Sequence, residues 1–134
     1  LDATNRERAG HERVKDIVDK IKLNYPHIPI VGEISTIEEA KAIKDYGFDY
    51  ISTTLSGYTE ASKDVKCVNL ELIRQITKEC NIPVIAEGKI KETKEAQEAL
   101  KAGAFSVVVG TSITRPEVIT ARYVEAIKQY RNTK

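Results

Sequence analysis

The sequence lacks an excess of charge of either sign, and it lacks any long apolar run. Among its 134 residues, 21 lysines and arginines balance 20 aspartates and glutamates, for a net charge of +1. Proteins that bind nucleic acids gather a surplus of basic residues on one surface, and a membrane-spanning helix needs about 20 apolar residues. The N-terminal LDATNRERAG has no signal-peptide pattern. We therefore expect a soluble, intracellular protein that binds neither nucleic acid nor membrane.

Histidine and cysteine are also scarce, which limits the chemistry. The two histidines, His11 and His27, show no metal-ligand spacing such as HExxH, so we expect no metal, no other cofactor and no histidine-dependent triad. Cys67 and Cys80 lie at opposite ends of one predicted helix, about 20 Å apart at about 1.5 Å per residue. That separation excludes a disulfide, and we interpret both as small, buried or half-buried residues.

Short apolar runs alternate with segments of helical periodicity. Strands are predicted at residues 28–31, 49–53, 82–86 and 105–110. Helices are predicted at residues 7–23, 36–46, 68–80, 93–102 and 116–131. The strands are nearly continuous in Ile, Val and Ala, the pattern of parallel strands buried on both faces. We predict one α/β domain over residues 1–134, either an open doubly wound sheet or half of a barrel, because a complete barrel takes about 200 residues or more.

Residues that begin and end helices agree with this assignment. Ser35 and Thr36 precede Glu38 and Glu39 at the spacing of a capping box, and Thr93 stands at the start of the helix at residues 93–102. Gly47 and Gly103 follow helical segments, where a left-handed residue commonly ends a helix. The helices predicted at residues 36–46 and 93–102 therefore have local sequence signals at their ends.

Two strands end on a carboxylate, Glu33 after PIVG and Glu87 after PVIA. Ligands of parallel α/β folds bind at the carboxyl ends of the strands, and a carboxylate beside apolar strand residues is costly to bury without a role. An acid at this edge suits proton transfer beside a carbonyl. A salt-bridged rim residue is the alternative for each.

Glycines follow the last two strands. Gly88, with Lys89 after it, and Gly110, with Thr111 after it, would let main-chain amides approach an anion such as phosphate. Arg115 precedes Pro116 and could offer a forked donor to a phosphate or a sugar oxygen. Ordinary turn glycines and a solvated arginine are the alternatives.

A hydroxyl-rich segment follows the second strand. Thr53, Thr54 and Tyr58 belong to a stretch in which five of seven residues carry hydroxyls, and a polar loop continues to about Lys66. This connection exceeds the usual length of about 2–6 residues, which favours a lid or a binding loop for a polyol. An ordinary ordered loop remains equally compatible.

Taken together and in this order, five segments closely resemble the bacterial N-acetylmannosamine-6-phosphate 2-epimerases. They are LDAT with Arg6 and Arg8 after it, EISTIEEA, GFDYISTTLSGYT, PVIAEGKI and VVVGTSITRPEVIT. The resemblance implies the (β/α)₈ TIM-barrel family, with this chain carrying about the last four β/α units. It also implies a cytoplasmic, metal-free enzyme of sialic-acid catabolism. Such an enzyme interconverts the 6-phosphates of N-acetylmannosamine and N-acetylglucosamine by proton transfer at the acetamido-bearing carbon.

The resemblance assigns roles to individual residues. Glu87 matches the family's catalytic carboxylate, and Arg115 matches a substrate-binding arginine. The amides around Gly88, Gly110 and Thr111 match its phosphate site. Glu33 stands where the family usually has an aspartate, and its longer side chain would reach about one methylene further towards the sugar.

The family's acid/base lysine has no counterpart here, because LDAT resembles the end of the family's fourth strand. We therefore expect this chain alone to be inactive, and to be completed by the missing half-barrel or by association with copies of itself. Two other functions remain open. One is another phosphate-binding barrel enzyme, such as an indole-glycerol-phosphate or thiazole synthase relative, and the other is a non-catalytic sugar-phosphate-binding module.

Overall fold

The computed structural model describes residues 1–133 and shows a parallel sheet whose strands alternate with helices. The strands are β1 (Val31–Glu33), β2 (Tyr50–Ser52), β3 (Val84–Glu87) and β4 (Ser106–Val108). The helices are α1 (Val14–Asn24), α2 (Ile37–Ile43), α3 (Leu70–Glu79), α4 (Thr93–Lys101), α5 (Thr111–Thr114) and α6 (Pro116–Asn132). Short 3₁₀ turns occur at Ala9–His11 and Glu60–Ser62. Within residues 1–133, no helix has the length and apolar character to cross a membrane.

The strand order follows the chain order. The sheet runs β1-β2-β3-β4 with every pair parallel, and an isolated bridge between Asp2 and Glu33 adds the N-terminal segment beside β1. A doubly wound sheet reverses its strand order at a switch point, whereas a barrel adds each strand beside the previous one. The order therefore favours the barrel and confirms the predicted α/β class.

The two faces of the sheet differ in burial. On the helix side, Ile51, Val84 and Ala86 are fully buried, whereas Ser106 and Val108 on the other side are exposed. The largest fully buried apolar side chains are Ile34, Ile51, Ile73, Ile76, Val18 and Val84. The prediction of strands buried on both faces is therefore wrong for β4, whereas Ser52 of β2 is buried on the same face as Ser106.

The first helix is shorter than predicted. It begins at Val14 and not at Glu7. Gly10 has φ +71°, and the Arg8 guanidinium donates to the main-chain carbonyl of Thr4 at 2.7 Å. A residue in the left-handed region interrupts a right-handed helix, so periodicity alone placed this boundary too early.

The other elements agree better with the prediction. The four later helices match within three residues at each end, whereas the single turn α5 was not predicted. The strand predicted at residues 28–31 overlaps β1 only at Val31. The amide of Ile30 donates to the Asp49 carboxylate at 2.7 Å, so the chain joins the sheet ladder one residue later.

The predicted capping box at the start of α2 is present and does more than cap the helix. Thr36 Oγ1 accepts from the amide of Glu39 at 3.3 Å, and the Glu39 carboxylate accepts from the amide of Thr36 at 3.1 Å. Glu39 is only 4% exposed. Its carboxylate also accepts from the amide and hydroxyl of Ser35 and from the amide of Asn5 at 3.0 Å. It thereby ties the N-terminal segment to α2.

Both cysteines are free, as predicted. Cys80 is buried at the end of α3, where burial raises the pKa of its thiol. Cys67 is exposed in the loop before that helix, so the expectation that it is buried or half-buried is wrong.

Candidate active site

A cavity of about 540 Å³ opens at the carboxyl ends of β2, β3 and β4. Glu87, Gly88, Gly110 and Thr111 all line it. The β3–β4 register explains why, because it pairs Glu87 with Val108, two residues before Gly110. The volume is typical of small-molecule sites, which span about 300–1,000 Å³. The structure therefore brings the predicted acid and the predicted anion-binding turns to one place.

The Glu87 carboxylate is bound by hydroxyl groups from β2 and the residues after it. Its Oε2 accepts from Thr54 Oγ1 at 3.0 Å, and Ser52 Oγ lies 3.4 Å from the same oxygen. These two hydroxyl oxygens are 2.7 Å apart. Sequence reasoning named Thr54 but missed Ser52. The alternation of side chains along a strand places residues 52 and 54 on one face, and this signal could have found Ser52.

Thr53 lies behind Glu87, on the helix side of the sheet. It is 2% exposed and does not line the cavity. Its hydroxyl donates to the Glu87 carbonyl at 2.9 Å and accepts from the Glu87 amide at 3.0 Å. The structure therefore does not bring Thr53 to the predicted sugar site, because its hydroxyl is used to hold the end of β3.

Tyr58 and Lys89 form one contact at the mouth of the cavity. The Lys89 ammonium lies 4.0 Å from the centroid of the Tyr58 ring, within cation–π distance, and both residues line the cavity. Gly57 makes room for this contact. A Cβ at Gly57 would lie 2.2 Å from Lys89 Cε and 2.5 Å from the carbonyl oxygen of Val65.

Most hydroxyls of the loop after β2 have structural partners. Thr59 is buried and its hydroxyl contacts those of Ser35 and Ser62 at 2.9 and 2.8 Å. Ser56 accepts from the Asn69 side chain at 3.2 Å. Of the hydroxyl-bearing residues at 53–59, those that line the cavity are Thr54 and Tyr58. The loop is therefore held to the protein by most of the groups that suggested polyol recognition.

The charged residues of the cavity lining are mostly basic. Lys66, Lys89, Lys91 and Arg122 line it, and among residues 1–133 Glu87 is the one carboxylate that does. Arg122 lies on α6 and forms an ion pair with Glu92, the residue before α4. Sequence reasoning did not assign Lys66, Lys91 or Arg122 to the site, because basic residues at such positions look like ordinary solvated charges. A positively charged lining attracts anions.

The main chain at the two glycine turns can also receive an anion. The amides of Gly88, Gly110 and Thr111 donate to no atom of residues 1–133. Gly88 has φ +97°, and a Cβ there would lie 3.3 Å from the carbonyl oxygen of Thr54. A Cβ at Gly110 would meet nothing within 4 Å, so glycine at that position leaves the rim open.

Two predicted substrate contacts lie outside the cavity. Glu33 ends β1, opposite Ser52 in the register, and is half-buried. Arg115 is exposed, and its Nε donates to the Glu117 carboxylate at 2.7 Å. The structure therefore does not bring these two residues to the Glu87 cavity. No group of three or more His, Cys, Asp or Glu residues within residues 1–133 could hold a metal ion.

Comparison with known proteins gives a consistent match. A family model described as "Putative N-acetylmannosamine-6-phosphate epimerase" matches residues 1–129. A relative from Caldanaerobacter subterraneus subsp. tengcongensis with the corresponding 2-epimerase name is 46% identical over 131 residues, which cover 98% of this chain and 55% of the relative. The chain thus spans about half the length of the curated relatives it matches.

Solved structures are similar over the same region. The N-acetylmannosamine-6-phosphate 2-epimerase from Clostridium perfringens matches with a TM-score of 0.87 and 46% identity, over 94% of this chain and 54% of that one. Thiamine phosphate pyrophosphorylase from Pyrococcus furiosus matches with a TM-score of 0.58 and 27% identity, over 72% of this chain and 45% of that one. The predicted half-barrel fold is confirmed by the first match.

Proposed function

Because the chain belongs to the N-acetylmannosamine-6-phosphate epimerase family, we propose that it carries one side of an epimerase site. The substrates are the 6-phosphates of N-acetylmannosamine and N-acetylglucosamine, and the reaction moves the proton on the carbon that bears the acetamido group. The observation that carries this proposal is that Glu87 and the amide groups of Gly88, Gly110 and Thr111 line one cavity. An acid and an anion cradle in one cavity suit a substrate that has both an acidic C–H bond and a phosphate.

Glu87 is the group that takes the proton. In the open-chain sugar, the acetamido-bearing carbon lies beside the aldehyde, so the electron pair left by proton removal is delocalised into the carbonyl group. The Glu87 carboxylate lines the cavity, and its Oε1 makes no hydrogen bond with any of residues 1–133. A proton returned to the opposite face of the carbon inverts its configuration. That second acid/base group comes from outside this chain.

The phosphate is held by main-chain amides and cations. Gly88, Gly110 and Thr111 offer amide donors, and Lys89 supplies positive charge beside them. Tyr58 is placed to contact the sugar, whereas Thr54 acts through the Glu87 carboxylate, to which its hydroxyl donates at 3.0 Å. Arg115 can contact a ligand only if its ion pair with Glu117 opens. Glu33, opposite Ser52 in the register, would contact the sugar from the β1 side of the site.

The exposed face of the sheet requires a cover before the site is complete. Ser106 and Val108 are exposed on the same face as Glu87. Residues 1–134 therefore form a single half-barrel domain that further β/α units complete, supplied by its own polypeptide or by another chain. The unaccompanied chain lacks turnover. Because a sugar phosphate is too polar to cross a lipid bilayer unaided, we place the reaction in the cytoplasm.

Proton exchange tests the proposal directly. In D₂O, the completed enzyme should incorporate deuterium at the acetamido-bearing carbon and interconvert the two sugar phosphates, which NMR follows. Glu87→Gln should lower turnover by about 10²-fold or more while the calorimetric affinity for the sugar phosphate changes little. Glu71→Gln, an exposed glutamate of α3 outside the cavity lining, is the matched control. Turnover that survives Glu87→Gln contradicts the role of Glu87.

A second candidate, a sugar-phosphate-binding module without catalysis, is favoured by the basic lining of the cavity. Lys66, Lys89, Lys91 and Arg122 would hold a phosphate whether or not a second acid/base group is present. Calorimetry on the chain with N-acetylmannosamine 6-phosphate and with inorganic phosphate distinguishes sugar recognition from anion capture. Tighter binding of the sugar phosphate, without deuterium exchange in the completed protein, would favour the binding module.

A further inference from the structure

The Glu87 carboxylate is held through one of its two oxygens. Oε2 accepts from the Thr54 hydroxyl at 3.0 Å, and the Ser52 hydroxyl lies 3.4 Å away. Oε1 makes no hydrogen bond with any of residues 1–133. The two oxygens of this carboxylate are therefore not equivalent.

Counting hydrogens gives a direction to this network. Each hydroxyl has one hydrogen, so Ser52 cannot donate to both Thr54 and Glu87. The Ser52–Thr54 contact of 2.7 Å is shorter than the Ser52–Glu87 contact of 3.4 Å. Ser52 therefore donates to Thr54, and Thr54 donates to Glu87. In such a chain each donor polarises the next and strengthens the final bond.

This inference rests on the proposed function. We infer that Thr54 and Ser52 are positioning residues that direct proton transfer to Oε1 of Glu87. The last side-chain torsion of a glutamate is otherwise broad, and the Thr54 bond restricts it.

The step balances within the groups named. The C–H bond of the sugar breaks, and its electron pair stays on the sugar carbon and carbonyl. The proton forms an O–H bond with Oε1, while Oε2 keeps its hydrogen bond from Thr54. Neither hydroxyl gains or loses a proton, so their contribution is orientation and not proton transfer.

The substitutions Thr54→Val and Thr54→Ser separate the effect of the hydroxyl group from the effect of the side-chain shape. In the completed enzyme, Thr54→Val should lower kcat about tenfold, which corresponds to about 1.4 kcal/mol, with KM changed by less than about twofold. Thr54→Ser keeps the donor and should restore kcat to within about threefold of wild type.

A matched control is available on α3. The hydroxyl of Thr77 donates to the Ile73 carbonyl at 2.8 Å and is not part of the cavity lining, so Thr77→Val should leave kcat and KM unchanged. Ser52→Ala removes the first donor of the chain and should lower kcat in the same direction by about threefold. This variant tests the network independently if Thr54→Val does not fold.

Glu87→Gln distinguishes failure of this inference from failure of the proposed function. A Thr54→Val enzyme with wild-type kcat, beside an inactive Glu87→Gln enzyme, overturns the inference and leaves the proposed function intact. Equal losses in Thr54→Ser and Thr54→Val also overturn it, since the hydroxyl would then not be the cause. Normal turnover by Glu87→Gln overturns both.

Discussion

The side chain of Thr53 bonds to both main-chain polar groups of Glu87. Its hydroxyl donates to the Glu87 carbonyl at 2.9 Å and accepts from the Glu87 amide at 3.0 Å. The main-chain amide of Thr53 also donates to the carbonyl oxygen of Ile85 at 3.1 Å. One threonine thus extends the β2–β3 ladder past the last regular pair and fixes the main chain from which the Glu87 carboxylate projects.

Thr53→Val should therefore destabilise the fold. The substitution keeps the shape and leaves a buried amide and carbonyl without their partner, at a cost of about 1–3 kcal/mol. Urea unfolding measures the change, and Thr53→Ser should recover most of the loss. Thr77→Val, at a partly exposed helix hydroxyl, provides the comparison. A Thr53→Val protein as stable as Thr77→Val would contradict the bridging role.

Gly57→Ala should be more damaging than alanine at Gly110, a glycine of the cavity lining. Gly57 has φ +83°, and a new Cβ would meet the main-chain oxygen of Val65 at 2.5 Å as well as Lys89. Left-handed strain and overpacking together should cost about 2 kcal/mol or more. Gly110→Ala is the matched control, because nothing lies within 4 Å of its Cβ position. Thermal unfolding of the two variants should differ clearly, and equal midpoints would be inconsistent with the packing described.

Asp49 should contribute stability that acid removes. Its carboxylate accepts hydrogen bonds from the Lys22 ammonium and the Ile30 amide at 2.6 and 2.7 Å, and these hold its pKa below the ordinary value of 3.8. Because the pKa is lower in the folded state, the stabilisation is present above about pH 4 and is lost as pH falls through the folded-state value.

Asp49→Asn should consequently reduce the loss of stability between about pH 5 and 2. Urea unfolding at a series of pH values measures this slope. Asp45→Asn, at an exposed aspartate in the same connection, is the control and should keep the wild-type slope. If the Asp49→Asn and wild-type slopes coincide, the Asp49 bonds do not contribute to acid unfolding.

Glu39→Gln should loosen the N-terminal segment from the rest of the fold. The buried carboxylate accepts hydrogen bonds from the main-chain amides of Asn5, Ser35 and Thr36. The NH₂ group of a glutamine side chain would instead face some of these N–H donors, and two donors cannot form a hydrogen bond. We expect a loss of about 2–4 kcal/mol and faster hydrogen exchange at the Asn5 amide. Glu38→Gln, at the exposed neighbour, should change neither. Unchanged Asn5 protection in Glu39→Gln would refute the tether.

The position of Glu87 was predictable from sequence because it depends on local patterns. A carboxylate directly after a buried strand, followed by Gly88, indicates the carboxyl edge of a parallel sheet, and the structure places both in the cavity. The roles of Thr53 and Thr54 were not separable in this way. The register assigns adjacent residues to opposite faces, so one holds the main chain and the other faces the carboxylate.

The sequence by itself determined the class of fold, the ends of most helices and the meeting of Glu87 with the glycine turns. Periodicity, caps and strand-end residues depend on neighbours in the chain. Tertiary structure alone decided that Arg122 of α6 lines the cavity beside Lys91. This outcome depends on how distant segments pack, and a solvated arginine and a site arginine have the same local sequence signal.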